Sequence, residues 1–522
     1  MSSAAVDYSV YLVTDSTPAL LGDRDLPSLV EDSLRGGVTL VQYRDKTASS
    51  QEVVAMAKKL HRVTSKYGVP LLINDRVDVA VAVGCEGVHI GQDDMEFQQA
   101  KALLGPGKII GVTASSKQEA LAACENGADY LGIGTVYSTA TKKDTKSIIG
   151  PSGVREILSA LHDAGYSSTP TVCIGGVNAS NASTVLSLSS SPQKALDGIA
   201  VASAIIAADR PAAASRDLLG EVIKSKIPGV LAAAARKTPL SHNMTNLVVQ
   251  NFAANVALSV GGSPIMSNYA AEAADLAKLG GALVLNMGTV TPDGIRNHVQ
   301  ALKAYNDAQR PVVFDPVGAG ATSVRREAAQ TLLSSGTFTI IKGNQSEIQT
   351  IHGAAVTQRG VDSSSSSLTI PQRANLVRCL ARQRSCVVVM TGPTDLISDG
   401  RRTVRVDNGH ELLGAVTGTG CALGTTLSVM AAAHDSDPFT AAVAGAVMFS
   451  VAAEVAAERR DVRGPGSFVP AFLDELHGIR TAAAEGNLAW LARAKMSAVE
   501  VEAVADDAEL NSMSKAKGVK EN

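Results

Sequence analysis

The chain has 522 residues, a formal net charge of −3 and six cysteines, none in a CxxC spacing. This length exceeds one hydrophobic core and calls for two domains. The near-neutral charge argues against a nucleic-acid partner, and the scattered cysteines argue against a disulfide framework or a zinc site. The first residues, MSSAAVDYSVYLVTD, lack the basic-then-apolar pattern of a signal peptide. The apolar segment around residues 441–457 is Ala-rich and carries Glu454, which reads as too weak for a membrane span. A cytoplasmic protein with no membrane partner is expected.

In chain order, the first half repeats one unit, an apolar strand-like run followed by an amphipathic stretch. The strand candidates are VYLVTD, TLVQYRD, PLLIND, GVHIG, IIGVTA, YLGIGTVY, TVCIGGV and GIAVASA. Runs apolar on both faces predict a parallel sheet covered by helices, and eight such units predict an N-terminal (β/α)8 TIM barrel over residues 1–228. Its last helix reads RPAAASRDLLGEVIKSK, with a junction over residues 227–235. Residues 229–498 differ: long Ala-rich helical stretches alternate with GALVLNMG, PVVFDPVG, FTIIKGN, SCVVVMTG and TDLISDG. That pattern predicts an open, doubly wound α/β sheet. The Ser-rich stretch Val361 to Thr369 reads as a surface loop, and residues 499–522 as a disordered tail.

In such barrels functional residues sit at the C-terminal ends of the strands. The second strand offers Gln42, Arg44 and Lys46, which alternation places on one side. Inward cations call for a bound anion. Asn74 and Asp75 follow the third strand, Asp94 the fourth, and Thr113 ends the fifth; Thr139, Thr141 and Lys142 follow the sixth. Gly175-Gly176 ends the seventh and Ala202-Ser203 the eighth. Arg44, Lys46 and Lys142 suit phosphate oxygens, while Asp75 and Asp94 suit Mg2+, which takes one or two carboxylates and completes its shell with water and phosphate. A phosphate cradle after strands seven and eight, beside a separate Mg–diphosphate site, implies two phosphorylated substrates. Plainer readings compete: Asp75 and Asp94 as helix N-caps, and Arg44 paired with Asp45 or Asp75.

The stretches VQYRDK, INDR, GVHIGQDD, GADYLGIGTVYSTATKKD and IGGV resemble thiamine-phosphate synthases. The resemblance spans nearly all of residues 8–225 and implies coupling of hydroxymethylpyrimidine diphosphate to hydroxyethylthiazole phosphate. It places Mg2+ ligands at Asp75 and Asp94, and diphosphate contacts at Arg44, Lys46, Asn74 and Lys142. Pyrimidine contacts fall on Gln42 and Thr113, and thiazole-phosphate contacts on Thr139, Thr141, Gly176 and the backbone near Ala202-Ser203. Arg44 and Lys142 are the catalytic candidates.

The second half has no Walker-type phosphate loop. Instead GAVTGTGCALGTTLSVM sets a Gly-rich turn before a helical run, so free backbone N–H groups at the helix start would hold an anion. Cys421 falls at that start, where a thiolate is favoured and would orient or deprotonate a hydroxyl. Asp315 and Glu347 are Mg2+ candidates, directly or through water, and Lys342 and Thr391 are phosphate candidates. The plainer readings are a buried thiol and an Asn344–Glu347 capping box.

The stretches PLSHNMTNLVVQNFAANVALSVGGSPIMSN, VVFDPVGAGAT, IKGNQSEI, MTGPTDLISDG and GTGCALG resemble hydroxyethylthiazole kinases of the ribokinase-like fold. The resemblance implies ATP-dependent phosphorylation of 5-(2-hydroxyethyl)-4-methylthiazole, with substrate contacts near Asn246, Met266 and Cys421. ATP–Mg contacts fall on Asp315, Lys342, Glu347, Thr391 and the turn from Gly418 through Gly420 to Cys421. Such kinases are trimers with sites between subunits, so a homo-oligomer is implied. The kinase product is a substrate of the barrel, which makes the two halves consecutive steps. The rivals are a different phosphate-binding barrel or a thiamine-binding regulator without catalysis.

Overall fold

The computed structural model describes residues 6–139, 147–191, 193–353 and 368–500. Thr141 and Lys142, most of the Ser-rich stretch and nearly all of the tail lie outside them. The chain divides into two compact units, residues 1–225 with 500–522, and residues 226–499.

The first unit is a closed barrel of eight parallel strands in sequential order: β1 Val10–Val13, β2 Leu40–Tyr43, β3 Leu71–Asn74, β4 Gly87–Ile90, β5 Ile109–Ala114, β6 Tyr130–Gly134, β7 Thr171–Ile174 and β8 Gly198–Val201. The intervening helices form by ordinary rules. Helix Ser50–Tyr67 starts at a Ser49–Glu52 capping box and ends at Gly68 with φ 66°. It buries Val53, Ala57, Leu60, Thr64 and Tyr67, spaced by three or four, so one face covers the sheet. Inside the barrel Tyr8, Tyr11, Leu40, Leu72, Tyr130, Val172 and Ala200 form one cluster. Gly111 is required there, since a Cβ on it would lie 2.1 Å from the Tyr130 ring.

The segment read as a junction is not a loop. Residues 211–237 form one helix, with Pro228 inside it. An internal proline removes one backbone hydrogen bond, but Ile223, Ile227, Val230, Leu231 and Ala234 are buried on both sides of it, and that burial carries the helix through.

The second unit is a nine-stranded mixed sheet in the order β10-β9-β11-β12-β13-β14-β15-β16-β17. The strands are β9 Leu240–Met244, β10 Ser263–Ile265, β11 Ala282–Asn286, β12 Val312–Asp315, β13 Ile340–Asn344, β14 Val387–Thr391, β15 Asp395–Ser398, β16 Thr403–Val406 and β17 Met496–Ala498. β10 to β14 run parallel, and β15 to β17 are antiparallel additions. Because β10 and β11 lie on opposite sides of β9, the order reverses there, which opens a crevice at the strand C-termini. Helix Pro438–Glu458 is long and apolar enough to cross a membrane, contrary to the sequence reading. Its apolar window is 94% buried, however, against helices Thr419–Ala433 and Pro465–Ala484. It is therefore accounted for as a core helix.

Candidate active sites

At the mouth of the barrel the two aspartates meet. Asp75 follows β3 with φ 61°, a left-handed conformation that Asp tolerates better than most residues; its N–H donates to the His89 carbonyl, 2.9 Å. The Asp94 carboxylate accepts the Gly91 N–H at 2.7 Å and lies within hydrogen-bonding reach of Asp75. Burial first, and then the neighbouring Asp75 carboxyl, raise the Asp94 pKa; the Gly91 N–H and Lys46 oppose them. Lys46 Nζ lies 3.1 Å from Asp75. Neither aspartate caps a helix: the N-cap positions behind them are Arg76 and Glu96. Among the described residues no group of three or more His, Cys, Asp or Glu converges on a point. Two carboxylates alone fit Mg2+ that completes its octahedron with water and phosphate oxygens.

Below them runs a hydrogen-bonded chain that sequence reading missed. Gln42 Nε2 donates to Tyr11 Oη, Tyr11 Oη meets Tyr130 Oη at 2.7 Å, and Tyr130 Oη meets His89 Nδ1 at 2.8 Å. His89 Nε2 then meets Thr113 Oγ1 at 2.9 Å. The predicted pair Gln42 and Thr113 are thus the two ends of one polar network across the barrel. The strand alternation that places Gln42 inward also places Tyr11, His89 and Tyr130 inward, but only closure of the barrel joins them. Arg44 is half-buried above Gln42, its N–H on Thr14 Oγ1. Asp45 instead caps its own turn through Thr47 and Ala48. Asn74 ends β3 and is half-buried.

The glycine cradle after β7 is sterically specified. Gly176 has φ 66°, and a Cβ on it would lie 2.7 Å from Tyr137 Cβ and 2.9 Å from the Ser138 carbonyl. Thr139, half-buried, follows that same loop. Ala202 precedes a four-residue helix that begins at Ser203, the short helix that commonly accompanies a barrel phosphate site.

In the second unit β9, β11, β12 and β13 end side by side. Asn246 Nδ2 donates to Asn286 Oδ1 at 3.0 Å and reaches Cys421 Sγ at 3.7 Å. Asn286 Nδ2 donates to Asp315 Oδ2 at 2.8 Å, and Lys342 Nζ donates to Asp315 Oδ1 at 3.1 Å. Glu347 accepts the Gly318 and Asn344 N–H groups, each at 2.8 Å, and completes the capping box with Asn344. The four oxygens of Asp315 and Glu347 are therefore engaged by protein donors, a donor set that fits cation contact through water better than direct ligation. Thr391 pairs in register with Asn344. Gly418, at φ 87°, opens helix Thr419–Ala433, and a Cβ on Gly420 would lie 3.5 Å from Lys342 Nζ. A cation thus sits directly at the helix start that was read as an anion site. Met266 follows β10 on the same edge and is half-buried.

Cys421 corrects one expectation. It occupies the first turn of that helix, yet burial, followed by the charge of Asp315, pushes its pKa up to about 11; Lys342 and the two asparagines oppose this only in part. The thiol is neutral near pH 7, since desolvation outweighs the helix-start field. We predict that Cys421→Ser retains kinase turnover within about tenfold and an unchanged pH profile between pH 6.5 and 9; loss of an alkaline limb in the variant would show thiolate chemistry instead.

A phosphate-binding barrel joined in one chain to a switch-point crevice with a Gly-rich helix start defines a two-unit transferase. Residues 10–205 match the thiamine monophosphate synthase family, and residues 231–482 the hydroxyethylthiazole kinase family. The chain is 40% identical to the probable thiamine biosynthetic bifunctional enzyme of Schizosaccharomyces pombe, over 95% of this chain and 99% of that one. It is 37% identical to the thiamine biosynthetic bifunctional enzyme of Saccharomyces cerevisiae, over 90% and 95%. The kinase half is 45% identical to the hydroxyethylthiazole kinase of Moorella thermoacetica, covering 46% of this chain and 88% of that one. The chain belongs to the family of thiamine biosynthetic bifunctional enzymes, combining thiamine-phosphate synthase and hydroxyethylthiazole kinase activities.

Proposed function

We propose that the barrel performs its coupling by seating the pyrimidine diphosphate on Asp75 and Asp94 through Mg2+, with Arg44, Lys46, Asn74 and Lys142 on the diphosphate. The observation that carries this reading is the meeting of the two carboxylates beside Lys46. The bound cation would neutralise charge that develops on the departing diphosphate. The protein supplies no nucleophile: the C–O bond to diphosphate breaks, the electron-rich aminopyrimidine stabilises the resulting methylene cation, and the thiazole nitrogen then attacks that carbon. The Gln42–Thr113 network orients the aminopyrimidine, while Thr139, Thr141, Gly176 and the Ala202-Ser203 backbone hold the thiazole phosphate. Gly176→Val tests the cradle. We expect it to cost about 1–3 kcal/mol in thermal unfolding and to raise KM for thiazole phosphate, leaving KM for the pyrimidine diphosphate unchanged.

In the second unit the thiazole alcohol lies beside Asn246, Met266 and Cys421. ATP lies against Lys342, Thr391 and the Gly418–Gly420 helix start, with Mg2+ near Asp315 and Glu347. Leu247 and Val248, directly after Asn246, are 76% and 75% exposed, which supports a homo-oligomer that covers them, a trimer by analogy with the kinase family. The location we infer is cytoplasmic, with small molecules as ligands. Incubating the full chain with thiazole alcohol, ATP–Mg and the pyrimidine diphosphate should give thiamine phosphate. Omitting ATP should stop it unless thiazole phosphate is added. Binding of thiamine without turnover would favour a regulator, and turnover of neither substrate pair a different barrel enzyme.

A further inference from the structure

β9 carries an unusual inner sequence, Ser241-His242-Asn243, all three buried. Ser241 and Asn243 are satisfied by Ser428 and Thr425 of helix Thr419–Ala433. His242, 1% exposed, faces the other way. Its Nε2 lies 2.9 Å from the Ser267 carbonyl and its Nδ1 3.2 Å from Tyr305 Oη. A carbonyl only accepts, so Nε2 carries the proton; the neutral ring therefore presents Nδ1 as acceptor to the Tyr305 hydroxyl. Burial keeps the ring neutral by holding its pKa below the usual value.

Ser267 directly follows Met266. The same segment is tied a second time, by Asn268 Nδ2 to the Thr245 carbonyl at 3.2 Å, one residue before Asn246. Asn297 Nδ2 in turn donates to the Asn268 carbonyl at 3.3 Å. Between β10 and the turn of helix that starts at Ala270, residues 266–269 belong to no strand or helix, and Asn268 and Tyr269 are exposed. Its place beside Asn246 depends on these side-chain bonds, and His242 supplies the one that comes from inside the sheet.

We propose that His242, oriented by Tyr305, is a positioning residue for the kinase: it fixes the Ser267 carbonyl and thereby the Met266 wall of the thiazole-alcohol pocket. The inference rests on the placement of that alcohol at Asn246 and Met266. It assigns specificity for the alcohol to a buried residue that touches no substrate, and it leaves the ATP side of the crevice untouched.

The test uses the full chain. His242→Phe keeps a ring of similar size but removes both ring nitrogens; Tyr305→Phe keeps the imidazole and removes only its orienting hydroxyl. We expect His242→Phe to raise KM for 5-(2-hydroxyethyl)-4-methylthiazole about tenfold or more, and Tyr305→Phe to raise it about two- to fivefold, reflecting one lost neutral hydrogen bond. KM for ATP should stay within about twofold in both, and coupling of supplied thiazole phosphate should be unchanged. A purely structural role would move both kinase KM values together or neither, and either result overturns the proposal. If His242→Phe does not fold, Tyr305→Phe decides alone: an unchanged alcohol KM overturns it. A wild-type chain that fails to phosphorylate the alcohol would instead overturn the placement on which the inference rests.

Discussion

Asp94→Asn should lower thiamine phosphate formation by roughly a thousandfold while leaving the metal-free barrel at least as stable as the wild type. The two effects have one origin. Asp75 and Asp94 are close enough to hydrogen-bond, and burial followed by that neighbour raises the Asp94 pKa. A group whose folded pKa lies above its unfolded value favours the fold at low pH, and that contribution is lost as pH rises through the folded value. At neutral pH the ionised Asp94 therefore works against the fold until a cation joins the pair. Asparagine keeps the size and removes the charge. Thermal unfolding without Mg2+ between pH 4 and 8 should show the wild type gaining stability on acidification relative to the variant. Near-normal turnover of Asp94→Asn with saturating substrates, or a steep fall in its melting temperature, would refute the assignment.

Lys342→Ala should be the most destabilising single change in the kinase unit. The Lys342 ammonium is 5% exposed and bonds an Asp315 carboxylate that is 0% exposed. Burial disfavours its charge, but Asp315 and then Glu347 outweigh burial and keep it protonated. Removing it leaves two buried carboxylates without their cation, a loss of about 3–5 kcal/mol for breaking such a pair. Kinase activity should vanish, because the same ammonium lies at the helix start against which we place the ATP phosphates. Coupling of supplied thiazole phosphate should persist. The combined change Lys342→Met, Asp315→Leu and Glu347→Gln should recover part of the stability and none of the kinase activity, since no buried charge is then left without a partner. Chemical denaturation of both variants beside the wild type, followed on the kinase transition, checks this.

The barrel was legible because its strands are short apolar runs with polar ends, and the rule that strand ends carry function then selects Asp75, Asp94, Gln42 and Thr113. Tyr11, His89 and Tyr130 were not legible as a site. In sequence each is one residue within an apolar run, and their chain of bonds exists only once β1, β4 and β6 face one another. In the second unit β9 escaped for the opposite reason. Leu240-Ser241-His242-Asn243-Met244 is too polar to read as a buried strand, and the partners that make its burial possible include Ser428, Thr425, Tyr305 and Ser267 from other segments. The thiolate expected at Cys421 failed because a helix start is visible in sequence, whereas the burial that overrides it is not.

The central claim is that Asp75 and Asp94 share one cation that carries the diphosphate. Electron paramagnetic resonance of Mn2+ titrated into the full chain with hydroxymethylpyrimidine diphosphate, in the absence of ATP, tests it directly. One Mn2+ per barrel should bind, more tightly with the diphosphate than without it, and this binding should be lost in Asp75→Asn and in Asp94→Asn alike. Diphosphate-dependent Mn2+ binding that survives both substitutions would contradict the account.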